Sequence, residues 1–328
     1  MSNWKKTLLR RHHSLIPVLL RTPYLFDTIL DEVRTNREST ATEIAKSEVK
    51  RKKEEEGETR KKGSGNTKKR INYPYKAYTD KILQSNRDIQ ENLLTSQLYD
   101  KDTGNVGTND GKTGNNYGLL YRCALFKGSK IVEMEGPLHI DLLQQPKLLI
   151  NGVAVGIKLH LNSDAFTLIT DSPSPDYRVK IADAYFKLCI QRLKSDVLVA
   201  HDNLIQDMSD IYPYLRTEIK TTSIASGQFS YSADDIFQGL VPCKLIVGLV
   251  PSATFNGDYA HNPFNFKHYN CSSIGLYVDG QSVPSQPMQP NYSADQHMEC
   301  NITLALFRND INISDRDYKK GYCPMLLM

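Results

Sequence analysis

The chain has 328 residues, and its 41 Lys and Arg against 37 Asp and Glu give a formal net charge of +4. At roughly 150 residues per domain, this length allows about two domains, or one large β domain with an appendage. No stretch approaches the ~18 to 20 consecutive apolar residues of a membrane helix, because the longest candidate, residues 15–20, contains Pro17. We therefore predict no membrane-spanning segment.

The positive charge is concentrated near the N-terminus. Residues 1–70 contain 18 basic and 10 acidic side chains, whereas residues 71–328 have a small acidic excess. We predict that residues 1–70 form a basic arm, largely disordered or helical, joined to a separate body. The apolar stretch in the first 26 residues is too short for a secretory signal. We therefore expect an intracellular location, in the cytoplasm or nucleus, or in a virion-like particle if the protein assembles.

The most basic part of the arm, residues 46–70, has Val49 as its only aliphatic residue. Clustered cations bind a polyanion by displacing its counterions, so nucleic acid is a candidate partner. The alternative is a solvated linker, because four glutamates at 54–56 and 58 separate the basic clusters. The residues of the nucleic-acid hypothesis are Lys50, Arg51, Lys52, Lys53, Arg60, Lys61, Lys62, Lys68, Lys69 and Arg70.

Beyond the arm, apolar periodicity predicts many short strands and two helices. In chain order, the predicted helices are 75–97 and 195–208, and the predicted strands are 121–126, 130–134, 153–161, 179–192, 215–222, 244–250 and 274–278. Short strands separated by turns are typical of sandwiches and jelly rolls. We predict a mainly β fold built from antiparallel jelly-roll sandwiches.

The clearest strand is 153–161, in which apolar residues occupy every odd position while Lys158 and His160 share the other face. This alternation predicts a central strand with its odd-numbered residues buried. Asn151-Gly152 suits a tight hairpin turn that follows the apolar residues 148–150, and Asp279-Gly280 predicts a second tight turn. Each turn would place the strands on its two sides next to each other.

No sequence motif requires catalysis. The segment 104–114 ends in GKT, but Val106 stands where a phosphate-binding loop needs glycine, and we expect a surface loop without a nucleotide. There is no G-x-S-x-G elbow and no H-E-x-x-H zinc pattern. The six cysteines form no C-x-x-C pair, so reduced thiols are expected. We predict a protein that is not an enzyme and that holds no cofactor or metal.

The segment FNGDYAHNPFNFKHY at 255–269 concentrates five aromatic residues between predicted strands. Asn256-Gly257 and Pro263 favour turns, while the rings offer large apolar areas. We predict a structured connection that is packed by these rings, with Phe264 and Phe266 buried.

Several long segments resemble one group of sequences. They are NYPYKAY at 72–78, LTSQLYDKDTG at 94–104, GPLHIDLLQQPKLLINGVAVGIKL at 136–159, FNGDYAHNPFNFKHY at 255–269, LYVDGQSVPSQPMQP at 276–290 and YKKGY at 318–322. Together they are similar to the capsid-type proteins of Polinton (Maverick) virus-like transposons and adintoviruses. The resemblance covers essentially residues 71–328.

This resemblance implies a double jelly-roll capsid protein that assembles as trimers, with two jelly-roll halves meeting near residues 195–212. Members of the group have a β-rich segment before the Y-P-Y-x-A-Y motif and further strands after the D-Y-x-x-G-Y motif. Here the basic arm and CPMLLM stand in those places, so we expect an incomplete double jelly roll. The implied function is a structural, self-assembling coat protein, or a decayed or domesticated transposon-derived copy. The alternative is a non-catalytic β-sandwich module that binds a ligand.

Overall fold

A computed structural model describes residues 2–11, 19–20, 26–35, 72–150, 153–237, 242–300, 318 and 325–327. The strands are β1 (Ser2–Arg11), β2 (Leu19–Leu20), β3 (Phe26–Thr35), β4 (Val132–Gly136), β5 (Val153–Leu161), β6 (Leu168–Ile169), β7 (Tyr177–Ile181), β8 (Tyr185–Phe186), β9 (Leu245–Val247), β10 (Ile274–Val278), β11 (Gln281–Met288) and β12 (Met325–Leu327). The α-helices are α1 (Asn72–Gln84), α2 (Arg87–Glu91), α3 (Tyr117–Leu125), α4 (Asp141–Gln144), α5 (Asp164–Thr167), α6 (Ser195–Asp207) and α7 (Ser252–Asn256). Short 3₁₀ helices cover Leu93–Gln97 and Tyr292–Ala294.

All strand pairs of the described chain are antiparallel. β1 lies between β4 and β7 and also pairs with β8, while β3 pairs with β5, β2 with β6, β9 with β12 and β10 with β11. The antiparallel pairing agrees with the sequence prediction. The helices make this a mixture of helix and strand rather than a mainly β chain.

Residues 2–11, 19–20 and 26–35 differ from the predicted disordered or helical arm. β1 pairs with β4 and β7 of the body, and β3 pairs with β5 from Phe26 opposite Leu161 to Thr35 opposite Val153. These ladders satisfy the backbone groups of β3 and β5 with each other. The predicted arm therefore contributes strands to the same sheets as the body. The rest of that prediction, over 1, 12–18, 21–25 and 36–70, lies outside the described residues.

Strand β5 has the predicted bounds, and part of its alternation is confirmed. Val155, Ile157 and Leu159 are half-buried while Lys158 is exposed, but His160 is half-buried too, and Leu161 is exposed. β5 has only β3 as a partner among the described strands, so the prediction of a central strand was wrong. A two-stranded ribbon has too little area to bury a full apolar face.

The two predicted turns have different outcomes. β10 has the predicted bounds and turns through Asp279 and Gly280, with φ of 51° and 80°, into β11. Two positive φ angles in a two-residue loop match the right-handed twist of the paired strands. By contrast, Asn151-Gly152 lies outside the described residues. Residues 148–150 form no strand, so the hairpin predicted before β5 is absent.

The first predicted helix, 75–97, is broken into α1, α2 and a 3₁₀ turn. The helix is interrupted at Asn86, whose side chain accepts a hydrogen bond from the Ile89 N–H and caps the start of α2. The second predicted helix is confirmed as α6. Predicted strands 130–134, 244–250 and 274–278 are confirmed by β4, β9 and β10, with shifted or shorter bounds for the first two.

Three strand predictions fail in whole or in part. Residues 121–126 lie mostly in helix α3, because Leu119, Arg122, Cys123 and Phe126 recur at helical spacing and are all buried. In the predicted strand 179–192, only the end of β7 (179–181) and the whole of β8 (185–186) belong to a sheet. Residues 187–192 are irregular. Residues 215–222 contain no regular secondary structure.

Asn116 fixes the start of α3 and joins it to the preceding loop. Its buried Oδ1 accepts hydrogen bonds from the Leu119 N–H at 3.2 Å and from the Thr103 N–H at 3.3 Å. We expect Asn116→Ala to lower the free energy of unfolding by about 2 kcal/mol, because it removes a helix cap and leaves two N–H groups without their acceptor. Denaturant unfolding measures the loss. The neighbouring Asn115→Ala should stay within about 0.5 kcal/mol of wild type, and equal losses would contradict the capping role.

An aromatic cluster joins two of the sequence segments that are far apart in the chain. It consists of Tyr75 and Tyr78 of α1, Phe166 of α5, Phe255 of α7, and Phe264 and Phe266 of the following connection. Tyr78 stacks on Phe264 with 4.6 Å between ring centroids, and Phe166 meets Phe264 edge-on at 5.9 Å.

The burial of Phe264 and Phe266 confirms their predicted role. Tyr259 is half-buried against a second cluster, and Tyr269 is exposed. The connection is therefore packed by two of its five rings, and by two more in part.

Candidate functional site

The segment 186–236, here called the apolar segment, exposes an unusual number of apolar side chains. It holds 15 of the 26 exposed large hydrophobic residues of the described chain, although it spans only 51 residues. They are Phe186, Leu188, Ile190, Leu193, Val197, Val199, Leu204, Met208, Ile211, Tyr214, Leu215, Ile224, Phe229, Tyr231 and Ile236. This concentration makes the segment the candidate functional surface.

Helix α6 lies within the apolar segment and buries none of its residues. Val197, Val199 and Leu204 are all exposed on it. Most of the stability of a short helix comes from packing one face against other structure. Helix α6 lacks that packing within the described chain, so a partner surface would stabilise it.

The first attachment of the apolar segment to the body is made by residues before β5. Lys147 forms an ion pair with Asp210, and its Nζ lies 4.8 Å from the centre of the Tyr212 ring. The Ile150 N–H donates to the Tyr212 hydroxyl at 2.9 Å. The hydrogen bond from Lys147 holds the pKa of Asp210 below its usual value.

The second attachment lies seven residues after Asp210, at Thr217. The Thr217 N–H donates to Asp141 Oδ2 at 3.0 Å, and Asp141 Oδ1 accepts from Lys76 Nζ at 2.5 Å. The side chain of Ile219 packs against the aromatic cluster. These contacts hold the backbone near Thr217 against the body while Leu215 and Tyr214 remain exposed.

A buried polar cluster lies beneath this second attachment. Lys76 Nζ donates to the His139 carbonyl oxygen at 2.7 Å, and His139 Nδ1 lies 3.6 Å from Asp80 Oδ2. Burial lowers the pKa of His139 below its usual value, with the nearby positive charges of Lys81 and Lys76 acting in the same direction. His139 is therefore neutral at physiological pH.

Lys81 is the least satisfied member of this region. Its side chain is 4% exposed, and its Nζ has no hydrogen-bond partner among the described residues. Burial lowers its pKa from 10.5 to about 7. A buried amine without a partner is costly to keep charged, so Lys81 is a strong source of pH dependence.

The described side chains form no arrangement typical of a metal centre. In the part of the chain that the structure describes, no group of three or more His, Cys, Asp or Glu could hold a metal ion. No helix among those residues is long and apolar enough to cross a membrane. Burial raises the pKa of the Cys123 thiol to about 12, so this cysteine is a poor nucleophile.

The predicted nucleic-acid residues all lie outside the described residues. They are Lys50, Arg51, Lys52, Lys53, Arg60, Lys61, Lys62, Lys68, Lys69 and Arg70. Nucleic-acid contact stays a prediction.

The GKT segment forms a surface loop, as predicted, and turns through 111–115. A strand over 121–126 was predicted after this loop, but the loop leads into helix α3, which begins at Tyr117. The Asn116 side chain already occupies the Leu119 N–H at that helix start. A phosphate would have to displace this cap, and no strand precedes the loop, so the geometry does not favour nucleotide binding.

Sequence reasoning missed two features of this region. Lys81 continues the buried positions of Tyr75 and Tyr78 three residues further along α1, and this helical spacing was the available signal of its burial. The exposure of 215–222 was missed because its strand-like alternation suggested a place inside a sheet. Nothing in the local sequence indicates which strand would be its partner.

The comparisons with known proteins find one distant similarity. A Caenorhabditis elegans protein described as uncharacterised is 26% identical over 265 residues, which are 76% of this chain and 60% of that protein. The chain thus spans about three fifths of the length of the curated relative that it matches. No protein-family model and no solved structure matches the chain.

Proposed function

We propose that this chain is a structural, self-assembling protein, a virus-like coat subunit or a domesticated or decayed transposon-derived copy of one. The observation that carries the proposal is the exposed apolar segment 186–236. A coat subunit needs surfaces that bind other copies and does not need catalytic residues. The resemblance to Polinton and adintovirus capsid-type proteins supports the same proposal, and it adds the jelly-roll architecture and trimeric assembly as finer expectations.

The size of the exposed surface supports self-association. At roughly 60 to 150 Å² of exposed apolar area for each of the 15 side chains, the segment presents on the order of 1,000 Å². A stable interface buries about 800 Å² on each partner. The segment is therefore large enough to form a specific interface.

Charge does not favour a strongly charged partner for this surface. Arg216 bonds Glu218 at 2.6 Å, and Lys220 lies 3.7 Å from the same carboxylate. Cations and anions alternate over 216–220, and the segment as a whole has more acidic than basic residues, which suits an apolar contact better than a polyanion. We place the assembled protein inside the cell, in accord with the sequence expectation.

Replacing exposed apolar residues of α6 and its flanks should weaken assembly. In the full chain we expect Leu188→Ser, Ile190→Ser and Leu204→Ser together to raise the dissociation constant of self-association at least about ten-fold. The reason is that the three changes remove apolar area from the interface. Analytical ultracentrifugation measures the association, and negative-stain microscopy shows the particles. The melting temperature should change little, since none of the three side chains is buried.

A matched control lies outside the segment. Ile131→Ser and Leu148→Ser replace side chains of similar exposure and should leave association unchanged. A wild-type chain that stays monomeric at every concentration would contradict the proposal, and it would favour the ligand-binding module instead.

A further inference from the structure

Helix α6 carries a stripe of exposed apolar side chains with symmetric spacing. Val197 and Leu204 are 40% and 58% exposed, and they share one face of the helix because seven residues make about two turns. Leu193 and Met208 lie just outside the two ends of the helix and are exposed as well. The four positions are placed equally about the midpoint between residues 200 and 201. The pattern is therefore the same from either end of the helix.

The other sides of α6 leave this stripe accessible and free of charge. Leu198, His201 and Ile205 are half-buried and recur at helical spacing, so their side of the helix faces the rest of the chain. The three aspartates of the helix lie about 70° or more away from the stripe around the helix axis. A surface that covers the stripe therefore meets apolar side chains.

The two ends of α6 differ in charge. Arg192, Lys194 and Asp196 give the start of the helix a net charge of +1, from two basic residues and one acidic residue, whereas Asp207 gives its end a charge of −1. The helix dipole adds positive potential at the start and negative potential at the end. Two antiparallel copies of α6 bring ends of opposite sign together, whereas two parallel copies bring like signs together.

We infer that α6 packs antiparallel against α6 of a second copy, across a two-fold axis at the midpoint between residues 200 and 201. The inference rests on the proposed self-association and names the contact at its centre. The symmetry places Val197 of each copy against Leu204 of the other, so this contact occurs twice. Ala200 lies beside the axis, and its small side chain lets the two helices approach closely.

The helix pair is the centre of a larger contact. A helix of 13 residues is too short to bury by itself the about 800 Å² that each partner contributes to a stable interface. The other exposed side chains of the apolar segment supply the remaining area. Pairing also covers one face of α6, which gives this helix the packing that stabilises short helices.

Two substitutions on opposite faces of α6 test the contact in the full chain. Leu204 and Val199 are both 58% exposed, but Val199 lies about 150° away from the stripe. Leu204→Glu should raise the dissociation constant of self-association at least about ten-fold, because it places a charge in an apolar contact. Val199→Glu should leave this constant within about three-fold of wild type. Analytical ultracentrifugation measures both, and equal effects would overturn the helix pairing.

An added pair of charges tests the antiparallel direction. Val197→Lys alone should weaken association as much as Leu204→Glu alone. In the antiparallel pair, the two new charges of the double variant face each other across the axis, so association should return to within about five-fold of wild type. In a parallel pair each new charge would face its own copy, and the double variant would be weaker than either single one. A double variant no stronger than the single variants would overturn the antiparallel contact.

A cysteine beside the axis gives a second, independent test. In a chain whose exposed Cys189 and Cys243 are replaced by Ser, Ala200→Cys should form a covalent dimer on mild oxidation. With helix axes about 9 Å apart, the Cα atoms of the two copies of residue 200 lie about 6 Å apart, which a disulfide can bridge. Asn203→Cys is equally exposed, but its two Cα atoms lie about 13 Å apart, so this variant should remain monomeric on a non-reducing gel.

The outcomes separate this inference from the proposed function. If the wild-type chain associates but Ala200→Cys forms no more dimer than Asn203→Cys, the helix pairing is wrong and self-assembly stands. If the wild-type chain is monomeric throughout, both fail.

Discussion

Phe264→Ala should lower the free energy of unfolding by roughly 3 to 5 kcal/mol. Phe264 is 4% exposed and lies within 6 Å, centroid to centroid, of Tyr75, Tyr78 and Phe166. Its removal leaves a cavity among rings that come from three separate parts of the chain, so the surroundings can collapse only in part. Denaturant unfolding followed by circular dichroism measures the change.

Phe229→Ala is the matched control for this prediction. Phe229 is fully exposed, so the same truncation should change stability by less than about 0.5 kcal/mol. Phe266→Ala should resemble Phe264→Ala, since its ring is buried in the same cluster. A loss below about 1 kcal/mol for both buried rings would show that the cluster does not hold α1 against the connection.

Lys81→Met should stabilise the protein by roughly 2 to 4 kcal/mol near pH 7 and below. Methionine has a similar length and fills the same buried space without the charge. The wild-type amine must either stay charged without a partner or lose its proton, and both cost free energy. Guanidinium unfolding at fixed pH measures the gain.

The gain should depend on pH in a definite direction. Lys81 has a pKa of about 7 in the fold and 10.5 as its ordinary value, so between these values the unfolded chain binds a proton that the folded chain does not. Wild-type stability therefore rises from pH 7 to pH 10 through this group. His139, whose pKa is also lowered by burial, destabilises the fold further as the pH falls below its usual value.

The difference between the two proteins isolates Lys81 from the other groups that titrate. Stability curves of wild type and Lys81→Met should converge as the pH approaches 10, whereas Lys130→Met should follow wild type at every pH, because Lys130 is exposed. Parallel curves for wild type and Lys81→Met would mean that Lys81 keeps an ordinary pKa in the fold.

Predictions from local sequence patterns were correct where the element depends only on residues close to it in the sequence. Strand β10 and the turn at Asp279-Gly280 could be predicted to the residue, because this turn brings the following strand alongside. Helix α6 could be predicted from its start at Ser195, since its hydrogen bonds close within the segment. The burial of Phe264 and Phe266 followed from the size of the rings, although their partners did not.

Long-range partners could not be predicted. β5 was expected beside the residues that precede it, but it pairs with β3, more than a hundred residues earlier. Its strand character is local, whereas the choice of partner depends on which edge is free once other elements have packed. Residues 121–126 were assigned to a strand although their buried positions recur at helical spacing, because a short apolar stretch suits either period.

By itself the sequence determined strands β4, β5, β9 and β10, the tight turn at 279–280 and the burial of Phe264 and Phe266. Only the tertiary structure decided that residues 2–11, 19–20 and 26–35 join the sheets, that Lys81 is enclosed and that residues 215–222 have no regular secondary structure. The physical reason is that turn geometry and periodicity depend on residues a few positions apart. Burial and strand pairing depend on which distant surfaces meet. The backbone N–H and C=O groups are the same in nearly every residue, so they do not indicate which strand will be the partner.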